Sequence, residues 1–315
     1  MSTDMATPRF PASSDGTEAG GLPVAAVQMV SGSTLQDNLQ TAARLVGQAV
    51  DQGAKLIALP EYFCLMGQRE SDKLAIAESY QPTPLDLAPE AQERLPIQTQ
   101  LARLARDHRI WLVGGSIPLV SDQPNKVLNT CLTYDPEGRV LHRYDKLHLF
   151  AFSNGTESYD ESRSIAHGSP PTPCQIGAAD LLRQSVQWPM PSLHLAQSVC
   201  YDIRFPEFYR LLGRDHPLDL IVVTAAFTWT TGQAHWALLL RARAVENQCW
   251  LLASAQGGDH DNGRRTWGQS LLINPWGQIV AQQASGEGLV TGVVDPLVTQ
   301  RIRLNLPAVQ HRVLV

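Results

Sequence analysis

The sequence has no CxxC pair, no tight Cys/His cluster and no dense run of Lys or Arg. It also lacks any apolar stretch near the roughly 20 residues that a membrane span requires. Each absence removes a class of function. The five cysteines, Cys64, Cys131, Cys174, Cys200 and Cys249, are odd in number and scattered. Such a set suits free thiols in a reducing compartment rather than a disulfide framework. A formal net charge of -5 without a basic patch argues against nucleic acid as the main partner, since phosphate binding needs concentrated positive charge. The nine histidines show no ligand spacing, so neither a metal nor a cofactor is expected. Residues 1–22 are rich in Ser, Thr, Ala, Gly and Pro and lack a basic segment followed by an apolar run. They read as a disordered tail rather than a secretory signal, and the expected location is cytoplasmic.

What remains is an ordinary globular composition, 43% hydrophobic and 17% charged over 315 residues, enough to bury a sizeable core. The pattern predicts a strand over 23–30 and a helix over 35–52, where Leu39, Ala42, Leu45, Val46 and Val50 fall at helical spacing, with Gly53 as its cap. A buried strand over 55–59 follows, ended by Pro60. Residues 71–94 read as a loop or lid with short helices, 97–107 as a helix and 110–118 as a strand. Asp135-Pro136-Glu137-Gly138 is turn chemistry between strands 128–134 and 140–144, which makes a hairpin. Five prolines make 151–191 irregular, and so long a loop is usually functional. Strands at 193–199, 218–224 and 249–255, helices at 206–214 and 233–247, a hairpin over 268–282 and a closing strand over 289–294 complete the chain. Alternating strands and helices combined with hairpins give an α/β class with mixed sheets and helices outside. No linker divides the chain, so 23–315 is expected to be one domain.

Reactive polar residues stand after apolar strands at three places, a location where strand ends commonly carry catalytic groups. In Leu56-Ile57-Ala58-Leu59-Pro60-Glu61-Tyr62-Phe63 a carboxylate follows a buried strand. Apolar surroundings would raise its pKa and suit it to general base work. In Tyr144-Asp145-Lys146-Leu147-His148-Leu149-Phe150 a lysine lies among apolar residues and suits a buried fixed cation. In Val199-Cys200-Tyr201-Asp202-Ile203-Arg204-Phe205-Pro206-Glu207 a cysteine stands between a strand and a helix start, whose N–H groups would favour its thiolate. Taken singly, each has a plainer reading: a turn glutamate, a surface lysine paired with Asp145, a packed structural cysteine.

Together, in this order, the three segments resemble the carbon–nitrogen hydrolase (nitrilase) superfamily, over nearly the whole chain from Ala25 to about Arg312. The resemblance implies an αββα sandwich that dimerises by packing helices, so a homodimer or larger homo-oligomer is expected. It implies Cys200 as nucleophile, Glu61 as general base, and Lys146 with the backbone N–H of Tyr201 as oxyanion donors. It also implies a second glutamate after the lysine: Glu161 is the candidate and Glu157 its rival. His148 and His235 are the alternatives for a papain-like pair, which the Cys200 context does not favour.

Two further segments, 226–236 and Arg241-Ala242-Arg243-Ala244-Val245-Glu246, resemble the branch of deaminated glutathione amidases and omega-amidases. The implied substrate is a small anionic 2-oxo acid amide, foremost deaminated glutathione, cleaved to 2-oxoglutarate and cysteinylglycine. Tyr62, Arg204, Phe227 and Thr228 are candidate substrate contacts, with Arg204 either the cation for the anionic substrate or a structural partner of Glu207. Trp229, Trp236 and Trp250 read equally well as core packing. The chain carries Gly268-Gln269-Ser270 where relatives usually have Gly-His-Ser. Open alternatives are an omega-amidase, a nitrilase, a carbamoyl-putrescine or beta-ureidopropionase-like amidohydrolase, and a non-enzymatic scaffold or interaction subunit.

Overall fold

The computed structural model describes residues 20–156 and 158–314. Most of the expected N-terminal tail, residues 1–19, lies outside them. Two sheets form the framework. The first runs, in spatial order, Gly288–Val294, Leu22–Gln28, Leu56–Ala58, Trp111–Val113, Val127–Tyr134 and Ile117–Val120, with Val140–Asp145 and Ile165–Ala166 also pairing to Val127–Tyr134. The second runs Cys174–Gly177, Ser192–Val199, Leu220–Ala225, Trp250–Ala255, Ser270–Ile273 and Ile279–Gln283. Each mixes parallel and antiparallel pairs, as in Leu22–Gln28, which runs parallel to Leu56–Ala58 and antiparallel to Gly288–Val294.

The two-residue side-chain period divides the core. On the first sheet Val24, Ala26, Leu56, Ala58, Trp111 and Val113 face inward and join the buried residues of the second sheet. Their neighbours Ala25, Val27, Ile57 and Leu112 face outward and pack under Leu39, Leu45, Val46, Ile97 and Leu101. Those last five come from helices Leu35–Asp51 and Pro96–His108. Helices Pro206–Leu212 and Trp229–Asn247 bring Phe208, Tyr209, Trp236 and Leu240 to the core of the second sheet. The result is four layers, helix–sheet–sheet–helix. The sheets are joined at their strand ends: Ser254 Oγ donates to Val27 O at 2.5 Å, and Gly257 N–H donates to Met29 O at 2.9 Å.

Several sequence expectations change. The predicted 23–30 strand spans Leu22–Gln28. The 110–118 strand is two strands, because the chain bends at Gly114 and Gly115, the latter at φ +60°. The irregular 151–191 stretch contains a hairpin, Ala151–Ser153 with Ser158–Asp160, and a short helix, Ala178–Arg183. The hairpin is a two-stranded sheet of its own, and all these segments are too short to show a period. The helix predicted from 233 starts at Trp229 because the Thr228 hydroxyl accepts from Thr231 N–H and caps it. The closing strand, predicted over 289–294, spans Gly288–Val294 and pairs with Leu22–Gln28 at the edge of the first sheet.

Candidate active site

Strand ends from both sheets converge on one point. After Leu56–Ala58 the Leu59 N–H still bonds to Val113 O at 2.9 Å, and Pro60, lacking a donor, ends the ladder. The turn then passes directly over Gly115, where a Cβ would lie 2.2 Å from Pro60 O. Glu61 follows, 2% exposed. Its Oε1 accepts from Asn129 Nδ2 and Lys146 Nζ, both at 3.0 Å, and its Oε2 from Ala226 N–H at 2.9 Å. The surroundings of Glu61 are therefore rich in donors, not apolar as the strand sequence suggested. The carboxylate reaches past its own strand to groups that only the tertiary fold supplies.

Lys146 leaves the strand Val140–Asp145 with a fully buried side chain. Its ammonium donates to Glu61 and to both oxygens of Glu161, at 3.0 and 2.7 Å. Burial alone would pull this lysine down. Glu161 and Glu61 outweigh it and hold the ammonium well above the usual lysine range. Glu161 opens the short turn Glu161–Arg163, capped by Asp160, and its Oε2 also accepts from Phe150 N–H at 2.8 Å. The rival Glu157 lies outside the described residues.

Cys200 follows strand Ser192–Val199 and opens the 3₁₀ turn Cys200–Arg204 at φ +51°, a strained value for a non-glycine residue. Asp202, fully buried, holds this turn. It accepts from Val199 N–H at 2.8 Å, Tyr144 Oη at 2.7 Å and the His148 ring and N–H at 2.8 and 3.2 Å. Tyr144 and His148 flank Lys146, so one carboxylate ties the Cys200 turn to the lysine segment. The expected lowering of the thiol by helix N–H groups is not what the fold produces. Burial first, then Glu61, push the Cys200 thiol well above its ordinary value against the pull of Lys146. A neutral thiol beside a carboxylate needs that carboxylate to take its proton. Tyr201 is second in the 3₁₀ turn, a first-turn position whose N–H a helix does not itself use.

Residues 23–303 match the carbon-nitrogen hydrolase family. The chain belongs to that family. It is 36% identical over 293 residues to a Synechocystis protein named deaminated glutathione amidase, covering 92% of this chain and 98% of that one. It is 30% identical to human omega-amidase NIT2, covering 92% and 94%. Among solved structures it resembles Saccharomyces cerevisiae Nit3, a member of branch 10 of the nitrilase superfamily, with a TM-score of 0.77 and 26% identity over 94% of this chain and 97% of that one.

In this hydrolase Glu61, Tyr62, Glu161, Cys200, Ala226 and Thr228 line one cavity of about 330 Å³. A recess of about 20 Å³ opens beside Cys200, bounded by Phe150, Tyr201, Arg204, Phe227 and Thr231. Tyr62, Phe227 and Thr228 thus border the space next to the thiol. Arg204 bonds to His235 at 3.2 Å and lies over the rings of Tyr201 and Phe227, so the expected alternative, an ion pair with Glu207, is not formed. His148 is taken up by Asp202 and stacks on Phe205 at 3.7 Å, and neither it nor His235 borders the cavity. Trp236 and Trp250 are core, at 1% and 5% exposed, whereas Trp229 is half-buried against Trp267 and Arg265. Gln269, at φ +59°, bonds through its side chain to Ala284 O and Gln282, away from the cavity.

Sequence reasoning missed four contributors. Asn129 and the Ala226 N–H hold Glu61 from a strand and a strand end elsewhere in the chain, and Lys73, in the short helix Asp72–Ala75, and Arg264, in a loop, line the cavity. Asn129 stands in the middle of a strand that reads as core. Nothing in the linear sequence joins these two cations to Cys200.

Proposed function

We propose that this carbon–nitrogen hydrolase is an amidase in which Cys200 attacks the carbonyl carbon of a small 2-oxo acid amide. Glu61 takes the thiol proton as sulfur bonds to carbon, and negative charge develops on oxygen. Lys146 and the Tyr201 N–H stabilise that charge, each such donor being worth roughly 10²–10³ in rate. The C–N bond then breaks, Glu61 returns its proton to the leaving nitrogen, and a thioester remains. Water attacks this thioester with Glu61 again as base, and the carboxylic acid departs from the restored thiol. Glu161 orients Lys146 and keeps it charged.

The feature that supports this reading is the buried chain Glu61–Lys146–Glu161, whose two carboxylates line one cavity with Cys200. A lysine locked between two carboxylates is a fixed cation rather than a base. Glu61 is thereby left as the proton acceptor. The name of the Synechocystis relative supports deaminated glutathione as the substrate, giving 2-oxoglutarate and cysteinylglycine. The human relative's name supports a second reading, release of ammonia from a terminal amide. A panel of 2-oxo acid amides, assayed for free amine and free ammonia with wild type and Cys200→Ala, separates the two. Turnover persisting in Cys200→Ala would remove the nucleophile assignment.

We further propose a homodimer formed on helices Pro206–Leu212 and Trp229–Asn247. Their Leu211, Leu238 and Val245 are 45%, 67% and 48% exposed. A monomer by light scattering at micromolar concentration would contradict it.

A further inference from the structure

The wall of the cavity around Tyr62 is built from charge. Lys73, almost fully buried, sits with its ammonium 3.8 Å over the Tyr62 ring and 2.7 Å from Glu70. Arg264 pairs with the same Glu70 at 3.1 Å and lies over the Tyr159 ring. Glu70 thus bridges two cations, which leaves one positive charge uncompensated in the trio. All three residues line the cavity that holds Cys200. Arg69 lines it too, and among the described residues its guanidinium is in no ion pair.

A second observation points to a ligand. The Tyr62 hydroxyl is buried and has no hydrogen-bond partner among the described residues. Burial and the nearby Glu161 and Glu61 keep it protonated, so it is a donor without an acceptor. Unpaired buried donors are costly and uncommon. An acceptor supplied from the cavity would satisfy it.

We propose that Arg264, Lys73 and the Tyr62 hydroxyl form a subsite for a carboxylate of the substrate remote from the scissile amide, with Glu70 occupying the cations when the site is empty. This rests on the amidase reading for its substrate but makes a separate claim about binding. It offers an anion contact other than Arg204, for which the sequence had left open the role of substrate cation or of partner to Glu207. A substrate carboxylate would exchange with Glu70 for the Arg264 guanidinium and accept from Tyr62. Glu70 stands in a loop at the cavity mouth and is 43% exposed through its side chain, so it can turn toward water.

The test uses the full chain carrying Cys200→Ala, so that no turnover intervenes, and a 2-oxo dicarboxylate such as 2-oxoglutarate as probe in calorimetry. Arg264→Gln should weaken binding about ten- to a hundredfold, the size of one charge-assisted hydrogen bond. Glu70→Gln should tighten it, because the competing carboxylate is gone while both cations remain. A purely structural role for the trio predicts weakening in both variants, and that result, or no effect in either, overturns the subsite. Amide turnover by the wild-type enzyme is read in parallel. Turnover without these binding changes removes the subsite alone. The binding changes without turnover remove the amidase reading and leave the subsite standing.

Discussion

Glu61 and Lys146, 85 residues apart in the chain, meet at 3.0 Å with both side chains buried. Glu161 closes the other side of the same ammonium at 2.7 Å. One buried cation therefore serves two carboxylates, and its removal has two consequences.

Lys146→Ala should lower kcat by roughly 10²–10³, the loss of one oxyanion donor. It should also cost about 3–5 kcal/mol of stability, because both carboxylates lose their counter-charge. Steady-state kinetics and denaturant unfolding check the two effects separately. Adding Glu161→Gln to Lys146→Ala should restore part of the stability and none of the rate. A double variant less stable than Lys146→Ala would contradict the coupling.

The thiol gives a prediction of opposite sign to intuition. Burial and the Glu61 charge hold Cys200 up, and Lys146 pulls it down. Removing the negative charge while keeping the ammonium shifts the balance toward thiolate. Glu61→Gln should therefore abolish amide turnover yet alkylate faster than wild type with N-ethylmaleimide at pH 7. In the wild type the alkylation rate should climb with pH through 7 and beyond without levelling off near neutrality, because the thiol stands above its usual value. A plateau below pH 7, or slower labelling of Glu61→Gln, would show that the thiol is ionised in the resting enzyme.

Asp202 makes no contact with the cavity, yet it fastens the Cys200 turn to the lysine segment. Asp202→Ala leaves the Val199 N–H, the Tyr144 hydroxyl and the His148 ring without their acceptor. About 1–3 kcal/mol of stability should go with the buried donors. At 20 °C, still folded, the variant should lose kcat more than it gains in KM, since the relation of Cys200 to Lys146 is what loosens. An unchanged kcat would mean that the turn keeps its strained form without this anchor.

Much of this was legible in the chain. The order of strands and helices follows from periodicity, because period-2 and period-3.6 patterns are local. The placement of Glu61, Lys146 and Cys200 just past strand ends was visible for the same reason. The pairing of Gly288–Val294 with Leu22–Gln28 was not, because strand partners more than 250 positions away leave no local trace. Nor was the environment of Glu61, whose three donors come from Asn129, Lys146 and Ala226. The Cys200 segment misled in one respect. A helix start does favour a thiolate, but a buried sulfur facing a carboxylate is governed by desolvation and repulsion instead.

Glu61 and Lys146 hang from the first sheet, while Cys200 and the Ala226 N–H hang from the second. Alignment of the reacting groups is thus a vernier reading of how the two sheets are stacked. Trimming an inward-facing side chain such as Val24 or Leu56 should let that stacking relax partway into the space left. Catalysis should register such a slip while the protein still melts as a single folded body.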